Sequence, residues 1–155
     1  MSTPLVLPTP QALIELVGKE LPAADWIELT QQRIRQFADS TEDRQWIHVD
    51  PERAERESPY KTTIAHGFLT LSLLSRFMEQ TIQIKAGRRM AINYGLNRVR
   101  FPSPVPAGSK IRARFTVQAA KDIGEALEVV FLVNVEVQGA AKPCCVAEWL
   151  VRYYQ

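Results

Sequence analysis

The sequence predicts an α+β fold in which a curved antiparallel sheet wraps around one central hydrophobic helix. Residues 67–80 are apolar at nearly every position around a helix, so this helix has to be covered on most sides. Four strand-like segments joined by short turns follow it, and such strands are antiparallel because a parallel crossover needs a dozen or more residues. We therefore expect the strands to form the covering of the helix.

The length and charge of the chain limit its domain number and its partners. A chain of 155 residues fits one domain, which we place at residues 1–155. Its content of 46% hydrophobic and 23% charged residues is typical of globular proteins. A net charge of +2 lacks the basic surplus of a protein that binds phosphate backbones, so no nucleic-acid partner is expected.

Targeting segments and metal-ligand patterns are also missing from the sequence. The N-terminal residues contain no basic region followed by a long apolar stretch, and polar residues interrupt the most apolar segment, 65–78. We therefore expect a cytoplasmic protein with no membrane partner. The adjacent Cys144 and Cys145 are interpreted as packing residues, and two histidines without a spaced cysteine pair predict no metal site.

The elements before the central helix are shorter. Residues 11–19 have apolar positions at helical spacing, and residues 26–30 form a short strand that leads into a helix capped by Thr30. Asp50 followed by Pro51 is typical of a capped helix start, and this helix runs through Ala54. The helix after Thr30 ends near Asp39 or Ser40, and its apolar stripe consists of Ile34, Phe37 and Ala38.

The four strands are predicted at residues 91–101, 109–119, 127–138 and 145–154. In the second, Ile111, Phe115 and Val117 alternate with polar residues, which is the pattern of a sheet with one buried and one wet face. In the third, Val130 and Leu132 add apolar groups to the wet face, which favours a central position or coverage by another element. A curved antiparallel sheet around a buried helix is the hot-dog arrangement.

Asp43 and His48 are the first candidates for catalysis. They lie five residues apart in an aperiodic segment, and on a continuous helix their side chains would point about 140° apart, so convergence requires a bend. The helix end at residues 39–41 can provide it. A carboxylate and an imidazole in contact can hold a water molecule and share proton transfers. The structural alternative is that Asp43 caps a turn and His48 packs in the protein.

His66 and Gly67, at the start of the central helix, form a second candidate site. The first N–H groups of a helix are unpaired and lie at its positive end, so Gly67 could donate to a carbonyl that becomes an oxyanion. Glycine also lacks a Cβ that would block the approach. Alternatively, Gly67 allows close helix–sheet packing and His66 is a structural histidine.

Two weaker candidates complete the set. Ser75 lies inside the helix, eight residues past Gly67, where most serines bond to the preceding turn. A run of basic residues could meet a phosphorylated carrier such as coenzyme A, although a solvated sheet face explains it as well. These residues are Arg88, Arg89, Arg98, Arg100, Lys110, Arg112 and Arg114. The sequence has no G-x-S-x-G elbow, phosphate-binding glycine loop or dinucleotide fingerprint.

Three segments together resemble the MaoC-like dehydratases, the family of (R)-specific enoyl-CoA hydratases. They are residues 37–43 (FADSTED), 48–51 (HVDP) and 65–67 (AHG). The resemblance covers nearly the whole chain and continues through residues 93–97 (NYGLN), 99–102 (VRFP) and 105–109 (VPAGS). The aspartate-to-histidine spacing followed by Ala-His-Gly is far more specific than either part alone.

The resemblance implies a hot-dog homodimer that hydrates trans-2-enoyl-CoA to (R)-3-hydroxyacyl-CoA in fatty-acid or polyhydroxyalkanoate-type metabolism. Asp43 and His48 take the positions of the catalytic pair, and Gly67 that of the backbone oxyanion donor. His66, Ser75 and Trp46 are expected near the substrate. No cofactor is implied, since coenzyme A is part of the substrate.

The chain departs from the commoner family pattern at residues 45–46, where Gln-Trp replaces Asn-Pro. This change affects the loop and the acyl pocket rather than the reacting groups. Two other functions remain open: a hot-dog thioesterase that uses an activated water against the thioester carbon, and a non-catalytic subunit that binds acyl thioesters.

Overall fold

The computed structural model describes residues 2–155 and has one long antiparallel sheet. The strands are β1 (Leu5–Leu7), β2 (Ile27–Glu28), β3 (Ile82–Ile84), β4 (Met90–Arg100), β5 (Lys110–Asp122), β6 (Ala126–Val137) and β7 (Cys145–Tyr154). Five of them form the sheet, in the order β2-β5-β6-β7-β4. A separate pair of short parallel strands, β1 and β3, joins the N-terminal segment to the end of the central helix.

The four long strands confirm the predicted sheet. All their pairings are antiparallel, and β6 lies between β5 and β7, which is the central position predicted for the third strand. Ile111, Phe115 and Val117 are buried while their neighbours are more exposed. Leu132, on the outer face of β6, is 37% exposed, so the central position rather than a covering element accounts for the apolar groups there.

Three α-helices lie between β2 and the central helix: α1 (Gln31–Thr41), α2 (Trp46–Val49) and α3 (Pro51–Glu57). The Thr30 hydroxyl accepts a hydrogen bond from the Arg33 N–H at 3.1 Å, which confirms the predicted cap of α1. The Asp50 carboxylate caps α3 in the same way, with 3.0 Å to the N–H of Arg53. Helix α3 continues three residues beyond its predicted end at Ala54.

The central helix is interrupted at Leu73, so it consists of α4 (Gly67–Ser72) and α5 (Leu74–Thr81). Phe77 is fully buried, and the inner face of the sheet contributes an aromatic group in which Phe115 and Phe131 each lie about 6 Å from Trp149, centroid to centroid. Most apolar residues of the helix are buried, as predicted, and Phe68 is the exception, with 70% of its surface exposed.

The N-terminal segment forms a 3-10 helix, Pro10–Leu16, where helical spacing was expected at residues 11–19. Pro10 lies in its first turn, and Gly18 (φ 83°) follows its end. The segment packs against β5 and β6.

Both cysteines are buried free thiols, as expected for packing residues. Burial raises the pKa of Cys144 to about 12 and that of Cys145 to about 11, so both remain protonated near neutral pH.

Among residues 2–155, no helix combines the length and the apolar character needed to cross a membrane.

Candidate active site

The chain bends sharply between the end of α1 and Asp43. Helix α1 ends at Thr41, and Glu42 takes a left-handed backbone conformation (φ 62°) that stops further helical turns. The break therefore lies just after the predicted residues 39–41. Asp43 follows on an exposed loop, and the chain then enters α2, which carries His48. This bend provides the convergence that the five-residue spacing requires.

His48 is 7% exposed, and its ring orientation is fixed by the main chain. Its Nδ1 lies 2.7 Å from the carbonyl oxygen of Ile64, and because a carbonyl only accepts, Nδ1 carries the hydrogen. In the neutral ring the lone pair is then on Nε2, which can accept a proton.

The pKa of His48 is lowered from its ordinary value of 6.5. Desolvation by burial is the largest cause, and the nearby His66 lowers the pKa further. The hydrogen bond to Ile64 and the charge of Asp43 act in the opposite direction. The net shift keeps His48 neutral, and able to act as a base, at neutral pH.

His66 lies against His48 and joins it to the Asp43 loop. The two imidazoles are stacked, with 3.8 Å between ring centroids and 24° between planes. The Nε2 of His66 lies 2.9 Å from the backbone carbonyl oxygen of Asp43 and donates to it. On the other side, the ring of Phe37 lies 4.9 Å from that of His66, centroid to centroid. His66 is 3% exposed.

Asp43, His48 and His66 form a compact group of titratable side chains. A carboxylate oxygen of Asp43 and a ring nitrogen of each histidine all lie within 4.8 Å of one another. Two hydrogen bonds of about 2.8 Å to one water, at a tetrahedral angle, span about 4.6 Å. The separation therefore suits a single water held between the carboxylate and an imidazole.

The same group does not fit a shared metal ion. A metal binds an imidazole nitrogen at about 2.0–2.1 Å and in the plane of the ring. The near-parallel planes of His48 and His66 meet only far from both rings, so their lone pairs do not converge on one point. Each ring also has one nitrogen engaged with a backbone carbonyl.

Gly67 begins α4 and lies in the same cleft as His48. The N–H groups of Leu69 and Thr70 donate to the His66 carbonyl, while Gly67, at the first helical position, has no intrahelical acceptor for its own N–H. A Cβ at this position would lie 3.0 Å from the ring of Phe101. Absence of a side chain thus permits the close approach of that ring.

The cleft that contains His48 and Gly67 has a volume of about 280 Å³. One wall is the segment 101–105, and the buried Cys144 contributes to the lining. The sequence suggested no site role for Ile64 or Phe101. Phe101 belongs to the VRFP segment, which indicated the family resemblance but not a position beside Gly67.

Two predicted site residues lie elsewhere in the protomer. The ring of Trp46 is covered by the Arg53 guanidinium, 4.4 Å from the ring centroid. Ser75 is exposed, 3.5 Å from the side chain of Asn93, and lines clefts between α5 and β4 that do not include His48. The structure thus groups Asp43, His48, His66 and Gly67, whereas roles for Trp46 and Ser75 stay predictions.

The basic residues divide into two groups. Arg112 and Arg114 both bind the Glu136 carboxylate at 2.8 Å on the outer face of the sheet, as a solvated sheet face predicts. Arg98 and Arg100 instead line a small cleft along β4 and β7, and Arg88 lines one of the Ser75 clefts.

Comparison with known proteins identifies a family and several relatives of this chain. A family model described as "MaoC like domain" matches residues 14–139. The chain is 50% identical over 142 residues to 3-hydroxyacyl-thioester dehydratase Z of Mycobacterium tuberculosis, covering 91% of this chain and 93% of the relative. It is 45% identical over 135 residues to nodulation protein N of Rhizobium leguminosarum bv. viciae, covering 86% and 84%.

Solved structures show the same fold. The (R)-hydratase of A. caviae involved in PHA biosynthesis matches with a TM-score of 0.72 and 24% identity, covering 88% of this chain and 96% of that one. At this level of identity the likeness concerns the fold, which is the hot-dog fold predicted from the helix and the four strands.

Proposed function

Because the chain belongs to the MaoC-like dehydratase family and is a hydro-lyase, we propose that it catalyses the reversible (R)-specific hydration of trans-2-enoyl-CoA to (R)-3-hydroxyacyl-CoA. The observation that carries the proposal is the approach of the Asp43 carboxylate and the His48 ring to within 4.8 Å, beside the free N–H end of α4. The name of the mycobacterial relative supports a 3-hydroxyacyl thioester as the product class.

The Asp43–His48 pair holds the reacting water. His48 is fixed with Nε2 as acceptor, and Asp43 provides a second acceptor on the other side of the water. As the water oxygen bonds to the β-carbon, one O–H bond breaks and its proton passes to the pair. The π electrons move to the thioester oxygen, and the α-carbon then takes a proton from the pair. Addition of water is thereby complete with no change in oxidation state.

The enolate-like state needs a donor at the thioester oxygen. The Gly67 N–H lies at the positive end of α4 and lines the cleft with His48, so it can donate to that oxygen. Loss of one such donor in other enzymes costs about 3–4 kcal/mol of transition-state stabilisation. The chemistry uses only side chains and backbone of this chain, and coenzyme A enters as part of the substrate.

A hydration assay tests the proposed function. We expect purified protein to consume crotonyl-CoA or a longer 2-enoyl-CoA with loss of the enoyl absorbance and without release of thiol. Chiral chromatography of the hydrolysed product should show the (R)-3-hydroxy acid. Thiol release would instead support the thioesterase. Binding of the substrate without either change would support the non-catalytic subunit.

We also propose that the protein is a homodimer formed along β4. Within residues 2–155, this eleven-residue strand pairs with β7 alone, and its other edge has no neighbouring strand. Long apolar edges of this kind are normally protected by pairing. When two copies pair their β4 strands around a two-fold axis, the free backbone N–H and C=O groups of both edges form hydrogen bonds with each other. The exposed apolar side chains on the strand are Met90, Ile92, Tyr94 and Leu96, and Phe68 of α4 lies beside Leu96.

A charge on β4 should separate the dimer. Ile92→Lys is expected to reduce the mass in solution from about twice 17.6 kDa to the protomer value, because the lysine would replace an apolar side chain on the face of β4 that the second copy covers, and burial of an unpaired charge is costly. Multi-angle light scattering measures this mass. Ile14→Lys is the control, since Ile14 has a similar exposure of 45% but lies on the 3-10 helix. An unchanged mass for Ile92→Lys would contradict the β4 interface.

A further inference from the structure

We propose that His66 is a positioning residue, which fixes the Asp43 loop relative to His48 by holding the backbone carbonyl of Asp43. This inference rests on the proposed function of the Asp43–His48 pair. It differs from a direct role of His66 at the substrate, because the imidazole acts through the main chain of the loop that carries the carboxylate.

The hydrogen bond from His66 is the strongest contact that orders Asp43. The Nε2 of His66 lies 2.9 Å from the Asp43 carbonyl oxygen, across 23 residues of sequence. The other contacts of Asp43 are local and long: its N–H lies 3.5 Å from the Thr41 hydroxyl, and its carboxylate lies 3.4 Å from the N–H of Gln45. An exposed loop with only such contacts would sample many orientations. His66 restricts them.

The ring of His66 also stacks against the ring of His48 and restricts its orientation. The 3.8 Å separation of the two rings and their 24° angle mean that neither imidazole can tilt without displacing the other. Phe37 closes the opposite face of His66. One buried ring therefore contacts both members of the pair: Asp43 through its carbonyl and His48 through its face.

The choice of histidine at this position is not explained by stability. The Nδ1 of His66 is buried and has no hydrogen-bond partner within residues 2–155. A buried polar atom without a partner destabilises the folded chain relative to an apolar group of the same shape. The contact that distinguishes a histidine from an apolar ring at this position is the hydrogen bond from Nε2 to the Asp43 carbonyl oxygen.

Two substitutions separate the contacts of His66. His66→Gln retains a donor, because the glutamine amide nitrogen lies about as far from Cα as Nε2 does, whereas His66→Phe retains a flat ring and removes the donor. We expect His66→Phe to lower kcat roughly tenfold to a hundredfold, since small displacements of reacting groups have effects of this size, with KM nearly unchanged. His66→Gln should restore most of kcat.

A second measurement does not depend on turnover. The chain has two histidines, so each variant leaves His48 as the single imidazole signal in a proton NMR titration. The charged groups that face His48 are Asp43 and His66, and His66 lowers its pKa. In His66→Gln, which keeps the Asp43 loop in place, the pKa of His48 should therefore rise above that of the native protein, and the acid limb of the kcat profile should move to higher pH with it. In His66→Phe the Asp43 carboxylate, whose charge raises the same pKa, is no longer held, so the pKa of His48 should be lower than in His66→Gln.

The outcomes are distinguishable. An inactive native protein would end the proposed function, whereas the NMR titration would still test the contact between the histidines. A His66→Gln variant as slow as His66→Phe would overturn positioning through the carbonyl. So would native kcat in His66→Phe, or the same His48 pKa in the two variants. A purely structural His66 would lower the melting temperature of both variants, with no difference between them in kcat or in the pKa of His48.

Discussion

Asp43→Asn is expected to lower kcat for 2-enoyl-CoA hydration by about a hundredfold to ten-thousandfold, the range of a positioned proton-transfer group. Asparagine has the same shape but cannot accept the proton. The fold should be retained, because Asp43 is exposed and, among residues 2–155, its carboxylate accepts one hydrogen bond, of 3.4 Å from the Gln45 N–H, which an amide oxygen can also accept. We expect the free energy of unfolding to change by less than about 0.5 kcal/mol.

The matched control is Asp39→Asn. Asp39 is an exposed carboxylate in the last turn of α1, four residues before Asp43, and its ion pair with the Arg44 guanidinium, at 3.3 Å, contributes little to stability because both groups are solvated. This variant should retain native turnover. Steady-state kinetics and circular dichroism of the two variants make the comparison. Asp43→Asn turnover within tenfold of the native rate would remove Asp43 from the mechanism.

His48→Asn is expected to lower kcat by a factor similar to that of Asp43→Asn, while most of the free energy of unfolding is retained. The asparagine amide nitrogen lies near the position of Nδ1, so the hydrogen bond to the Ile64 carbonyl can persist while Nε2 is lost. His48→Ala removes both, and should unfold more easily by about 1–3 kcal/mol because the Ile64 carbonyl loses its donor. If the two variants have equally low turnover and His48→Ala alone is less stable, the loss of turnover is due to the loss of Nε2 and not to unfolding.

The same histidine predicts the pH dependence. The folded pKa of His48 lies below 6.5, so as pH falls below 6.5 the unfolded chain takes up the proton before the folded one. The free energy of unfolding should therefore decrease through that window, down to the folded pKa, with no contribution from His48 at higher pH. The acid limb of kcat/KM should also lie below 6.5 in the native protein, and His48→Asn should lack both effects.

An acid limb at or above 6.5 would show that His48 is not held neutral by burial. Retention of the native rate in His48→Asn would show that Nε2 has no part in the reaction. Chemical denaturation at several pH values, beside the rate profile, gives both quantities for the same samples.

The long strands could be predicted to within a few residues because alternation is a local property of the sequence. Lys110–Asp122 alternates over most of its length, and Pro and Gly mark the turns. The break at Leu73 and the exposure of Phe68 could not be predicted in this way, because both residues continue the apolar pattern. Their environment depends on the side of the helix that the sheet leaves open.

The pairing of Asp43 with His48 could be predicted from the break in α1 and the family resemblance. The contacts of His66 could not, since they join a loop and a helix start that are 23 residues apart. A histidine before a helix-starting glycine is only a local signal. Its partners, a main-chain oxygen and a second ring, are defined by tertiary packing.

The close approach of Phe101 to Gly67 means that the size of the residue at one position limits the residue at the other. A methyl group at position 67 would require the ring to shift by a few tenths of an ångström, and that ring forms part of the cleft wall. A larger residue at position 67 therefore requires a smaller or displaced side chain at position 101, so a change at either position alters the shape of the cleft beside His48.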